Sequence, residues 1–346
     1  MGDDVSIPLL REKLERREQV GPGGHRRLMD LFRQYLLVGG MPQVVRAYVE
    51  THDFDLVDRK KRNILALYRE DCSKYAGGLK VAVEDLFDRI PGELNRKEKR
   101  FSERSLIIDS KSRGYDESFM WLNDSKVVNI CYNSTDPTVG LSMYRDMASM
   151  KMYMADSGLL VTHVISELSM EFNGIYRSLL MDRLNINEGM FVENAIAQIL
   201  NANGHRLYCY SRSDPDTRRN SIEIDFLIMV RGEVCPVEVK SSASTKHVSL
   251  DKFRERFGKR IGQPYILCLK DVEEKDGILY LPLYMAQLLR SCMYKCPAPR
   301  GAGVWIRPSF SGRTGGSRRW RCSRPLRAHP HGRLCRIRAS VRRDTL

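Results

Sequence analysis

The sequence predicts an α/β protein, with a helical N-terminal part ahead of a domain ordered αβββαβ around a mixed sheet. Three observations carry this expectation. Residues 186–290 alternate between helical segments and apolar runs of strand length. Two of those runs, SIEIDFLIMV and EVCPVEVKSS, interleave acidic and apolar side chains at a period of two. The chain ahead of them carries apolar residues mostly at helical spacing.

Taken in order, LMDLFRQYLLV is a helix stopped by Gly39-Gly40, and Pro42 starts the next one, PQVVRAYVE. DLVDRKKRNILALYREDCSKYA follows with Val57, Ile64, Leu65, Leu67 and Tyr68 at roughly helical spacing. VEDLFDRI is expected to stop at Pro91, because proline lacks the amide that an interior helical position needs. Residues 102–132 then read as a short helix, a turn at Gly114, a second helix and the strand VVNICY. That layout is winged-helix-like, and a plain helical spacer fits it equally well. The later segment gives a helix (EGMFVENAIAQILNAN) and three strands (RLYCYS, SIEIDFLIMV, EVCPVEVKSS). A helix (SLDKFRERFG) and a strand (PYILCL) complete it. The expected divisions are a helical part over 1–55, a helical or winged-helix-like part over 56–135 and the αβββαβ domain over 136–295. Beyond them, 296–346 is expected to be a disordered Arg-rich tail.

Composition limits the function classes. No run of apolar residues is long enough for a membrane-spanning helix, and the N-terminus lacks the basic-then-apolar layout of a signal peptide, so a cytoplasmic protein is expected. The net charge is +14, but residues 296–346 hold 13 of the 57 basic residues, all arginine, and 1 of the 43 acids. The remaining body is therefore nearly neutral, and global charge does not argue for nucleic-acid binding there. The tail has two readings, an out-of-frame translation or a basic nucleic-acid arm. The 9 cysteines include no CxxC pair, which speaks for reduced thiols and against a structural zinc site.

The chemistry-bearing pattern lies in the two alternating strands. Strict alternation puts Ile222, Ile224, Phe226, Ile228 and Val230 on one face, and Glu223, Asp225, Leu227 and Met229 on the other. With Gly232-Glu233 as a two-residue turn, Arg231 pairs with Val234 and Asp225 with Lys240. Asp225, Glu238 and Lys240 then share a face, with Asp225 and Glu238 as diagonal neighbours about 7–8 Å apart. Two carboxylates at that spacing suit a hard divalent cation such as Mg²⁺, and an adjacent ammonium suits water activation or stabilisation of charge on a phosphate. Glu193, on the preceding helix, is a source for a third carboxylate. The plainer alternative is a surface ion pair between Asp225 and Lys240.

The segments FVENAIAQIL, EIDFLI and PVEVKSS resemble the C-terminal half of bacterial and archaeal AAA-type ATP-binding proteins, a domain of unknown function (DUF4143). YLLVGGMPQVV, ILALYREDCSKYA and KMYMADSGLL resemble further segments of that family, in the same order, over roughly residues 30–290. The resemblance implies an ATPase domain, a winged-helix-like part and a PD-(D/E)XK nuclease-like domain. In that fold Glu193, Asp225 and Glu238 would be metal-site residues, with Lys240 beside them. The chain departs from the pattern because it has no GxxxxGK[ST] loop to cradle nucleotide phosphates. Phe257-Gly258-Lys259-Arg260 lacks the upstream glycine and the hydroxyl residue, and Gly21-Pro22-Gly23-Gly24 lacks the lysine. An ATP site and ATPase activity are therefore not expected, and residues 1–55 read as a remnant beside a lost ATPase domain. The expected activity is Mg²⁺-dependent hydrolysis of nucleic-acid phosphodiesters. The alternatives are a non-catalytic module that binds DNA or a partner protein, and a decayed gene product without activity.

Overall fold

The computed structural model describes residues 6–95, 101–102, 113–138, 140–166, 188–212, 221–242 and 246–290. The predicted short helix before Gly114 and the Arg-rich tail lie outside the described residues. Among those described, no helix is long and apolar enough to cross a membrane.

The N-terminal part is helical, with α1 (Ser6–Arg16), α2 (Pro22–Val38), α3 (Pro42–Thr51), α4 (Phe54–Tyr75) and α5 (Lys80–Asn95). The Gly39-Gly40-Met41-Pro42 break falls where the sequence places it. Pro91 does not end α5, which continues to Asn95. A proline there frees the carbonyl four residues earlier, and His163 Nε2 lies 3.2 Å from that carbonyl, on Phe87. An outside donor thus replaces the lost helical bond. Helix α6 (Arg113–Asp124) starts ahead of Gly114, so the expected turn there is instead the first turn of a helix.

Nine strands among the described residues form one mixed sheet. They are β1 (Phe101–Ser102), β2 (Val128–Ser134), β3 (Arg145–Met154), β4 (Tyr208–Arg212), β5 (Ile222–Val230), β6 (Glu233–Val239), β7 (Tyr265–Cys268), β8 (Glu273–Lys275) and β9 (Ile278–Pro282). Their order is β1-β3-β2-β4-β5-β6-β7-β9-β8. The expected αβββαβ run is present as α8 (Glu188–Ala202), β4, β5, β6, α9 (Val248–Phe257) and β7. The strand VVNICY is β2, and it pairs in parallel with β4 inside the same sheet. Short strands β8 and β9 extend the sheet beyond the expected ones.

Two apolar cores lie on the sheet. The larger joins the N-terminal helices, α7 (Ser157–Ile165) and α8 to residues such as Phe226, Ile228, Cys235 and Val237. The smaller packs Leu250 and Phe253 of α9 against Ile222, Ile224 and Leu227.

The β5–β6 turn differs from the expected one. Val230 pairs with Glu233, so Arg231 and Gly232 are the two turn residues. Both have positive φ, 54° and 89°. Two successive left-handed residues match the right-handed twist of a tight hairpin, and only the Arg231-Gly232 frame puts glycine second. The expected pairing of Arg231 with Val234 is therefore shifted by two, which keeps parity but sets Leu227 opposite Pro236.

A buried polar knot ties the helical part to the sheet. The Asp156 carboxylate, 1% exposed, caps α7 through Leu159 N–H (3.0 Å) and accepts Gly40 N–H at 2.6 Å. Gln198 of α8 donates to it at 3.2 Å and accepts Ser157 N–H at 2.8 Å. Lys61 reaches from α4 to the Leu37 carbonyl at the end of α2, at 2.8 Å. Burial pulls the Lys61 pKa down to about 7, against the attraction of Asp58. Gly158 lets the two segments touch, since a Cβ there would lie 2.4 Å from the Val38 carbonyl oxygen. Gly158→Ala is expected to cost about 1–3 kcal/mol by overpacking against backbone. Urea unfolding measures this, and an unchanged midpoint would show that the contact does not constrain the fold.

Candidate functional site

Helix α8 seats itself by burying Phe191, Ala195 and Ile196, and Glu193 is buried with them, 4% exposed. Strand β3 brings two polar side chains to the same place. Lys151 and Tyr153 are two apart, so they share a strand face. Lys151 Nζ lies 3.2 Å from Glu193 Oε1, 3.2 Å from Glu223 Oε1 and 3.7 Å from Asp225 Oδ1. The Tyr153 hydroxyl donates to Glu193 Oε1 at 2.5 Å. Burial opposes the charge on Lys151, yet Glu193, Asp225 and Glu223 together hold its pKa well above the ordinary value. Burial and the Glu193 charge likewise raise the Tyr153 hydroxyl, so it stays protonated.

Asp225 occupies a β-bulge. Tyr208 pairs with Leu227 and Tyr210 with Ile224, so Asp225 and Phe226 together face the single residue Cys209. This breaks the strict alternation expected along β5. Ile222 and Ile224 fall in the smaller core with Leu227, while Phe226 and Ile228 fall in the larger one. Glu223 and Asp225 consequently point to the α8 side, toward Lys151. Asp225 Oδ2 accepts the Val239 N–H at 2.8 Å. Burial, followed by the negative Glu193, raises the Asp225 pKa to about 7, against Lys151 and the Val239 amide.

Glu238 and Lys240 come from the end of β6. Lys240 Nζ lies 3.2 Å from Glu238 Oε1, so Lys240 pairs with Glu238, where the plainer sequence reading has it with Asp225. Glu238 is buried, and its Oε2 has no hydrogen-bond partner. Burial raises its pKa, with Lys240 and His247 opposing and Asp251 reinforcing. The expected common face is thus divided, because Asp225 meets the β3–α8 groups while Glu238 senses those of α9. A cavity of about 290 Å³ reunites them, lined by Gly189, Glu193, Glu223, Asp225, Glu238 and Lys240.

The structure therefore brings all four of these residues to one pocket and adds three partners, Lys151 and Tyr153, which contact Glu193 behind the lining, and Glu223 within it. The signal for the first two was the pair of polar residues inside the apolar run MKMYM. Among the described residues no three His, Cys, Asp or Glu side chains form a ready-made metal cage.

The model of a family described as "Domain of unknown function (DUF8612)" matches residues 29–169. That of "Domain of unknown function (DUF4143)" matches residues 188–285, which include every residue lining the acidic pocket. The resemblance seen in the sequence thus holds for the DUF4143 segment. The comparison with curated proteins found no match. Among solved structures, the crystal structure of protein VC1899 from Vibrio cholerae matches at 12% identity and a TM-score of 0.21, a likeness that carries no argument. The match covers 72% of this chain and 55% of that one.

The raised Asp225 pKa has a consequence for stability. The unfolded carboxyl ionises near 3.8 and the folded one near 7, so the folded state binds more protons in between. Stability is fully present below the lower value and falls as pH rises toward the higher one. In metal-free buffer, Asp225→Asn is expected to flatten the Tm–pH curve between about pH 4 and 7. A variant with the wild-type slope would refute the raised pKa.

Proposed function

We propose that residues 188–290 form a PD-(D/E)XK-type nuclease-like domain that hydrolyses nucleic-acid phosphodiesters with Mg²⁺. The observation that carries this reading is the inner oxygen of Glu238, buried without a partner in the pocket that Asp225 lines. A buried carboxylate oxygen left unpaired is costly, and a cation relieves it.

The donor set fits such an ion. Asp225 and Glu238 supply hard carboxylate oxygens, the kind Mg²⁺ prefers, and water completes its shell. Both carboxyls have raised pKa values because burial strips them of water, a cost that a bound cation would offset. A divalent ion held there would supply Lewis acidity toward a phosphate oxygen and make water more acidic. Lys240, whose side chain keeps 24% exposure, is placed at the mouth to neutralise charge developing on the phosphate. The Val239 amide fixes the Asp225 carboxylate, and Glu193 holds Lys151 in place.

The same reading places the domain in an AAA-type context, with ATP bound by another polypeptide segment, and keeps a winged-helix-like role for the part around α6 and β2. A second reading is favoured by one observation, the Lys151 ammonium already set among Glu193, Glu223 and Asp225. A site whose carboxylates are satisfied internally suits a non-catalytic module that binds DNA or a partner protein.

The test is cleavage of single- and double-stranded DNA by the full chain with Mg²⁺ or Mn²⁺. Glu238→Gln and Lys240→Ala are each expected to lower the rate on the order of 10²–10³-fold. Cleavage indifferent to both substitutions would sink the nuclease reading, and DNA binding without cleavage would support the second.

A further inference from the structure

Lys151 is the most deeply buried charge beside the pocket. Its side chain is 1% exposed, and three carboxylates from two elements close on its ammonium at 3.2, 3.2 and 3.7 Å. Glu193 Oε1, shared by Lys151 and Tyr153, is already saturated by two donors. Hydrolases that use two metal ions hold them about 3.5–4 Å apart between bridging carboxylates. Here it is an ammonium that stands among Glu193, Glu223 and Asp225.

We propose that Lys151 takes the place of a second divalent cation, so that the pocket binds a single ion, between Asp225 and Glu238. The proposal rests on the metal-dependent reading above. A further divalent ion among Glu193, Glu223 and Asp225 would lie against the ammonium, in a setting with little water to screen the repulsion. The open acceptor capacity lies on the other side, at Glu238 Oε2 and at Asp225 Oδ1, which Lys151 holds only at 3.7 Å. Charge agrees with the geometry. The four pocket carboxylates, Glu193, Glu223, Asp225 and Glu238, face two ammonium groups, Lys151 and Lys240, and one divalent ion makes up the difference. Glu193 is then a positioning residue that acts through Lys151, where the family resemblance would make it a ligand.

The experiment titrates the full chain with Mn²⁺ and follows free and bound ion by electron paramagnetic resonance. Wild type is expected to bind one ion per chain, with the spectrum of an isolated ion. Lys151→Met, similar in length and uncharged, is expected to bind two. Two ions in wild type, or the spectrum of a coupled pair, would overturn the proposal while leaving the metal reading intact. One ion in Lys151→Met would also overturn it, because the three carboxylates would then not need the ammonium to exclude an ion. No bound ion in wild type would overturn the metal reading and this inference together. Where Lys151→Met fails to fold, the wild-type count and spectrum decide by themselves.

Discussion

The Asp156 carboxylate is the constraint on which the rest of the structure depends. It is buried, and it accepts hydrogen bonds from the first turn of α7, from Gly40 at the α2–α3 break and from Gln198 of α8. The cap on α7 is local, but Gly40 and Gln198 are distant in sequence, so one side chain sets three elements at once. Strand β3 ends two residues earlier, at Met154, and α8 is the helix that carries both Gln198 and Glu193. The geometry that delivers Lys151 to Glu193 therefore follows from the knot at Asp156. The glycines on either side of it serve the same end, since side chains at Gly39 and Gly158 would collide with the carboxylate or with backbone.

Electrostatics within the pocket follow from depth. Lys151 and Glu193 each supply the other with what water would otherwise provide, and a lone ion is not tolerable in a desolvated site. Asp225 lies at the border of this pair and Glu238 beyond it, beside a cation that reaches solvent. Raised pKa values at Asp225 and Glu238 express their burial first, reinforced at Asp225 by the negative Glu193 and opposed at Glu238 by Lys240 and His247. The pocket is thus graded, satisfied on the α8 side and open on the α9 side, and the two functional readings divide along that line.

The bulge at Asp225-Phe226 turns this gradient into a site. Without it, alternation along β5 would put Asp225 on the same sheet face as Ile222's opposite neighbours all the way to Met229, away from Phe226 and its contact with Tyr153. With the extra residue, Glu223, Asp225 and Phe226 all reach the α8 side, and Ile222, Ile224 and Leu227 keep the α9 side. Bulges commonly re-aim side chains next to functional sites, and this one does so at the central carboxylate.

The sequence by itself determined the α/β class, the αβββαβ order, the GGMP break and the four residues that line the pocket. Those features rest on local periodicity, on glycine and proline, and on residue types that are costly to bury, all of which are written along the chain. It misplaced the hairpin turn by one residue, and so the partner of each β5 residue by two, because GE and RG turns differ only in which residues accept positive φ. It also ended α5 too soon at Pro91, because the donor that rescues the Phe87 carbonyl comes from His163, far along the chain. Only the tertiary structure decided the bulge, the divided face and the arrival of Lys151 among the carboxylates. These depend on pairing between strands and on the packing of β3 against α8, long-range contacts that no local pattern in MKMYM or EIDFLI encodes.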